Sequence, residues 1–247
     1  MPKLSDSLLG LGLSIACGLI ISSCVIGYTV SRVAANKQSV VVKGLSEKAV
    51  KADQAQWSIV VHGEGKTLPE AMSRLRANRP TVTTFFQEQG FPADATTAGR
   101  ETFYPVFRRD SKGMETRDIE GYVATQTLTV DSNDVARIEQ AAGRIVALQE
   151  KGLALEVGSP EYLVSTLEKV KMSLIADATR NAHDRATEFA RSGDAHVGAM
   201  RSASQGAFYI LPARGSSSDD EYGGTYDKST IDKLARVVVT VEYALTQ

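Results

Sequence analysis

The chain has 247 residues, a formal net charge of −1, 43% hydrophobic content and 23% charged content. This balance is ordinary for a packed globular domain, and it excludes the basic electrostatic footprint that nucleic-acid binding requires. Both cysteines, Cys17 and Cys24, fall in an N-terminal apolar run, so the rest of the chain has no disulfide and no thiol nucleophile; a Cys-free domain suits an oxidising compartment.

The apolar run is Leu8 to Val30, and no charged side chain occurs from Ser7 to Ser31. About 20 such residues match what a helix needs to cross a bilayer, and the run exceeds the usual core of a cleaved signal peptide. It reads as an uncleaved anchor at 7–32, behind a short tail at 1–6 and ahead of a linker at 33–38. Two other readings stay open: a signal cut after Val33, Ala34 and Ala35, and a lipoprotein signal at Ile21-Ser22-Ser23-Cys24. Lys3 on one side and Arg32, Lys37 and Lys43 on the other slightly favour a cytoplasmic C-terminal part, although large domains translocate largely regardless of charge. Gly10, Ser14, Gly18 and Ser22 form a small-residue stripe at four-residue steps, which lets two membrane helices approach closely.

Ser39–Leu45 reads as a first short strand. Ala55, Trp57, Ile59 and Val61 alternate with Gln56, Ser58 and Val60, the period of a half-buried second strand, which Gly63 and Gly65 are expected to break. Thr67 and Glu70 form a capping box for a helix running to about Gln89, with Met72, Leu75, Val82 and Phe86 on its apolar stripe. Pro80 should kink or split that helix. Glu101–Phe107 and Gly121–Val130 read as two strands joined by a polar hairpin, with Pro105 marking an edge or bulge. Asp131-Ser132-Asn133 caps a second helix whose inner face is Val135, Ile138, Ala142, Ile145 and Leu148; Gly152 stops it. A short strand at Leu153–Val157 follows. Ser159-Pro160-Glu161 opens the longest helix, striped by Leu163, Leu167, Val170, Leu174, Ala178 and Phe189. His196–Ile210 is extended, 213–230 is a flexible Gly/Ser-rich loop, and Arg236–Leu245 is the last strand. The mixture of hairpins and crossovers predicts an α+β fold with a mostly antiparallel sheet packed against three main helices.

This order of elements, and the motifs within it, resemble the SIMPL-domain family of bacterial envelope proteins from Ser39 to the C-terminus. VVVKGLSEKAVKADQAQWSIVVHGEGKT is similar to that family's first two strands, with Gly44, Asp53 and Gly65 where its members place a glycine, an acid and a glycine. GYVATQTLTV at Gly121–Val130 resembles its most recognisable strand, and the stretch from Leu153 to Gly198 and the Val-rich last strand also fit. The resemblance implies a bacterial inner-membrane protein with its C-terminal domain in the periplasm, overriding the charge argument. It also implies homo-oligomerisation, because a relative forms a large hollow ring-like or barrel-like assembly. Members are linked to oxidative-stress tolerance without an accepted enzymatic activity. Two departures stand out: many members carry a cleavable signal, and Pro80 sits inside the first helix.

The residues themselves offer little chemistry. His62, His183 and His196 show no metal-ligand spacing, and no HExxH or CxxC occurs. His62 has no acid nearby in a motif and His183 reads as part of a solvated face. Gly63-Glu64-Gly65-Lys66-Thr67 ends like a phosphate loop but has Val60 where the first glycine belongs. Asp219-Asp220-Glu221 lack the alternating ligands of calcium loops. No catalytic, cofactor or metal site is expected. Phe103, Tyr104, Phe107 and Tyr122 either pack across paired strands or, if exposed, mark an oligomer interface.

The expected function is a membrane-anchored, non-enzymatic homo-oligomeric scaffold, whose partners are other copies of itself and the lipid bilayer, with no nucleic acid. The alternative is a periplasmic binding module that captures an envelope protein or small ligand through the 213–230 loop. An enzyme would require acids and histidines to converge in a pocket, for instance His62 near Asp53 or Glu64.

Overall fold

The computed structural model describes residues 16–27, 38–214 and 225–246. Its fold is α+β. A helix, α1, covers 16–27, with Leu19, Ile20, Ile21, Val25 and Ile26 all exposed. Among the described residues no helix is long and apolar enough to cross a membrane. Gly18 and Ser22 lie on α1; Gly10, Ser14 and the ends of the expected anchor lie outside the described residues.

The chain divides into two compact units. One comprises Lys48–Lys171 and Phe208–Arg236. Its six-stranded sheet has the order β3-β5-β2-β6, with β4 added on β5 and β7 on β2. These strands are β2 (Gln54–Gly65), β3 (Thr96–Ala98), β4 (Thr102–Arg109), β5 (Glu115–Ser132), β6 (Leu155–Val157) and β7 (Glu161–Leu163). The long central pair β2 and β5 is antiparallel, from Ala55 opposite Ser132 to Gly65 opposite Tyr122. The alternation seen in the sequence is the core face: Trp57, Ile59 and Val61 are fully buried, with Leu128 and Val130 from β5. Helix α2 (Leu68–Glu88) lies over them with Leu75, Val82 and Phe86. Phe86 meets Trp57 edge to face at 5.8 Å, and the Trp57 indole donates to Gly158 O at 2.8 Å. The shorter helices α3 (Val135–Arg144) and α4 (Val146–Glu150) add Ile138 and Leu148.

Several expectations are corrected here. Gly63 does not break β2 but lies within it, and Gly65 is the strand's last residue. A Cβ on Gly63 would fall into the backbone of Ala71 and Leu75, and one on Gly65 would lie 2.5 Å from Ala71 N. These glycines let α2 rest directly on the strand. Pro80 neither splits nor ends α2, which is continuous across it. The capping box expected at Thr67 and Glu70 is not made. Glu70 accepts from Lys66 N at 3.0 Å, while the Thr67 side chain makes no cap bond. The cap of α3 is Asp134, which accepts from Arg137 N at 3.1 Å, because β5 runs on through Ser132. Ser159-Pro160-Glu161 does not start the longest helix. Residues 161–163 form β7, since sheet pairing claims their backbone: Asp53 N donates to Leu163 O, and Tyr162 N to Lys228 O. The longest helix, α5, is Leu167–Ser192.

The other unit comprises Met1–Glu47, Met172–Ala207 and Val237–Gln247. Its three-stranded sheet has the order β1-β9-β8, from β1 (Ser39–Lys51), β8 (His196–Pro212) and β9 (Asp232–Thr246). Val237, Val239, Val241 and Tyr243 form one buried face of β9, as the alternation predicts. Leu174 and Ala178 of the predicted α5 stripe are buried, but the stripe continues with small side chains and not with Phe189. The buried stripe is Leu174, Ala178, Ala182, Ala186 and Ala190, and Phe189 is 64% exposed. The reason is close approach to β1, where a Cβ on Gly44 would lie 2.8 Å from Ala182 N. Where the helix comes that near the strand, at Ala178 and Ala182, its inner face tolerates only methyl groups. His183 is exposed as expected, yet its ring packs edge-on against Tyr243 at 5.4 Å.

Candidate functional site

The described residue types converge on no catalytic cluster. His62 meets Glu156 at 3.9 Å, and Glu156 is largely exposed. Neither Asp53 nor Glu64 is the partner. Asp53 instead accepts from Ser165, from its N–H at 2.7 Å and its hydroxyl at 2.5 Å. Burial alone would raise the Asp53 pKa, but these hydrogen bonds hold the carboxyl below its ordinary value. Among the described residues no three His, Cys, Asp or Glu side chains gather as metal ligands would. Asp219, Asp220 and Glu221 lie outside the described residues. The Gly44, Asp53 and Gly65 positions of the family pattern therefore have structural roles: two close packings and one strand-to-loop tie.

What stands out is the ribbon formed by β4 and β5. Its strands reach further than the polar loop in the sequence implied, leaving only 110–114 as the turn. Asp110 makes that turn: its carboxylate accepts from Lys112 N at 2.8 Å and Met114 N at 2.9 Å, and Gly113 takes φ +79°. A side chain that bonds its own backbone in this way offers a ready-made hairpin tip. The register places Phe103 opposite Ala124, Tyr104 opposite Val123, Pro105 opposite Tyr122, and Phe107 opposite Ile119. Irregularities fall between Val106 and Phe107 and again before Arg109, just after Pro105. The sequence reading of Pro105 as an edge or bulge marker is thus met, since among the described residues β4 pairs only with β5.

The four aromatic residues singled out in the sequence separate. Phe103 (55% exposed), Tyr104 (50%) and Phe107 (37%) project from the ribbon, joined by Val106, Met114 and Ile119. Tyr122 is half-buried and packs against the core. Its own strand explains the difference: β5 is paired on both sides, whereas β4 is an outer strand. The ribbon is anchored to α2 by Glu101, which accepts from Arg76 at 2.9 Å and lies 4.0 Å from Arg79. The Arg76 hydrogen bond is the main influence holding the Glu101 carboxyl below its usual range. At the base of the ribbon an open cleft of about 470 Å³ is lined by Glu64, Lys66, Glu70, Arg74, Glu120 and Tyr122. Arg74 already binds Glu70 there at 2.7 Å, so much of its charge is internally matched.

One polar cluster was not legible in the sequence. Lys233 is completely buried, and its ammonium donates to Asp227 O at 2.5 Å and approaches the Asp227 carboxylate at 3.3 Å. Asp227 also accepts from the Ser229 and Thr230 hydroxyls. Burial opposes the Asp227 charge, yet the Thr230 and Ser229 hydrogen bonds and the Lys233 charge together bring its pKa down to about 2. The Tyr226 hydroxyl accepts from Val164 N at 2.9 Å. Of the expected flexible stretch 213–230, residues 215–224 lie outside the described residues, and 225–230 are tied down by this cluster. Sequence offered no signal for it, because Asp227 and Lys233 sit amid a polar run whose composition reads as loop.

A family model described as SIMPL, "Protein of unknown function (DUF541)", matches residues 40–243. No curated protein matches the chain. Among solved structures, one titled an uncharacterized conserved protein from Listeria innocua is similar at 12% identity over 78% of this chain and 92% of that chain. Its TM-score is 0.19, so this likeness carries no argument about the fold.

Proposed function

Starting from the fact that the chain belongs to the SIMPL family, we propose that it is a membrane-anchored, non-enzymatic envelope protein that self-assembles into a large homo-oligomeric ring or cage. Its C-terminal part stands in the periplasm, in a role tied to stress tolerance. The observation that carries this reading is the apolar surface of the β4–β5 ribbon. Phe103, Tyr104, Val106, Phe107, Met114 and Ile119 are all exposed on one hairpin. Exposed apolar side chains concentrated on one hairpin, on both of its faces, mark interaction sites, and aromatic side chains dominate the energetics of such contacts. The exposed apolar side chains of α1 support insertion of the N-terminal segment into lipid. Tethering there raises the local concentration of copies and so favours assembly.

The test is the size and shape of the detergent-solubilised full-length protein, by light scattering and negative-stain imaging. A single large closed particle is expected, and Phe103→Glu with Phe107→Glu should reduce it to small species with unchanged circular dichroism. A wild-type monomer or dimer would overturn the scaffold. Full assembly of the double variant would remove the ribbon from the interface.

A further inference from the structure

The three-stranded sheet ends in two very different edges. At one end, α5 side chains bond the β1 backbone: Arg185 donates to Lys43 O at 3.1 Å, and Asn181 accepts from Leu45 N at 3.1 Å. At the other end, β8 has β9 as its only strand neighbour among the described residues. Residues 199–206 of β8 are exposed without interruption. Because side chains alternate between faces along a strand, such a run means that neither face is covered there. Further along, the same strand is covered by the chain's own 225–227 stretch: Ile210 N donates to Thr225 O, and Asp227 N to Ile210 O. Among the described residues, the sheet edges at Lys43, Leu45 and Ile210 are thus shielded and 199–206 is left uncovered. Proteins usually blunt a long free edge with lysines, prolines or bulges. Ala-Met-Arg-Ser-Ala-Ser-Gln-Gly at 199–206 carries one charge and no proline.

We propose that the β8 edge from Ala199 to Gly206 pairs antiparallel, about a two-fold axis, with the same edge of a second copy of this chain. The inference deepens the self-assembly reading and rests on it for the identity of the partner. The residue pattern is self-complementary. Pairing centred on Ser202 sets Met200 opposite Ser204 and Arg201 opposite Ala203, so the lone charge never faces its own copy. About eight backbone hydrogen bonds form across such a segment. The bonded β1 edge disfavours the competing head-to-tail arrangement, in which β8 of one copy would extend β1 of the next. A two-fold contact is also closed, since each copy uses the same surface once.

The test uses the detergent-solubilised full chain carrying Cys17→Ser and Cys24→Ser. Ser202→Cys then places a thiol opposite its symmetry mate, within bridging range, and mild oxidation should give a covalent dimer. Met200→Cys alone should give none, whereas Met200→Cys with Ser204→Cys should. Independently, Ala203→Glu should tighten self-association by about threefold or more, and Ala203→Arg should weaken it by a similar factor. Both series are repeated with Phe103→Glu and Phe107→Glu, where the cross-link should persist. A failed ribbon contact appears as unchanged particle size, whereas a failed edge contact appears as no cross-link at any of these positions. Absence of cross-linking, or equal response to the Glu and Arg substitutions, overturns the proposal.

Discussion

Asp227→Asn tests whether the buried Lys233 pair holds the 225–230 stretch in place. The substitution keeps the shape of the side chain and removes its charge. In the folded chain Asp227 titrates at about 2 against an ordinary 3.8. That depression is equivalent to about 2 kcal/mol of stability. The substitution also leaves the Lys233 ammonium, which has no solvent exposure, without a countercharge, and breaking a buried pair in this way costs about 3–5 kcal/mol. Burial already pushes the Lys233 pKa below its ordinary value, so the orphaned lysine has a strong reason to lose its proton or leave its site. The expected loss is therefore about 3–5 kcal/mol. Urea unfolding followed by the fluorescence of Trp57, the sole tryptophan and fully buried, measures it. Adding Lys233→Met should restore much of the loss, because removing both charges avoids the unpaired one. In the wild type, a depressed carboxylate pKa contributes stability that is fully present above its unfolded value and is lost as pH falls through its folded value. The Asp227 contribution should therefore disappear between about pH 4 and pH 2, and the Asn variant should lack that step. A loss below about 1 kcal/mol, or no recovery in the double variant, would refute this account of the cluster.

Two further substitutions probe the packing. Gly63→Ala drives a methyl group into the backbone of Ala71 and Leu75, and should lower stability by about 1–3 kcal/mol in the same urea assay; a neutral result would mean that α2 moves aside freely. Pro80→Ala at an exposed, continuous helical position should stabilise by about 1–3 kcal/mol, since it restores a main-chain donor inside α2. An unchanged or lower unfolding midpoint would show that the helix is already fully accommodated to the proline.

How legible the molecule was depended on whether the governing interaction was local. The alternation of Ala55, Trp57, Ile59 and Val61, and of Val237 to Tyr243, identified buried strand faces, because side-chain direction along a strand follows from its period of two. The hairpin marker at Pro105 was equally readable, since a residue without an N–H leaves a ladder bond unmade unless that side is an edge or a bulge. Long-range competition decided the rest. Ser159-Pro160-Glu161 has every local feature of a helix start, yet the edge of β2 and the 225–230 stretch claim its backbone. Gly63 and Gly65 look like strand breakers until α2 lies across them. Phe189 looks like a core residue until Gly44 draws α5 so close to β1 that only the alanines fit.

By itself, then, the sequence determined the α+β class, the apolar N-terminal segment, the long central strands and the family, all of which follow from local periodicity, composition and motif order. Only the tertiary structure decided which aromatics remain on the surface, which polar pair is buried, and which sheet edge is left open. Each of those depends on elements far apart in the chain competing for the same backbone groups and the same volume, and no local pattern records the outcome of that competition.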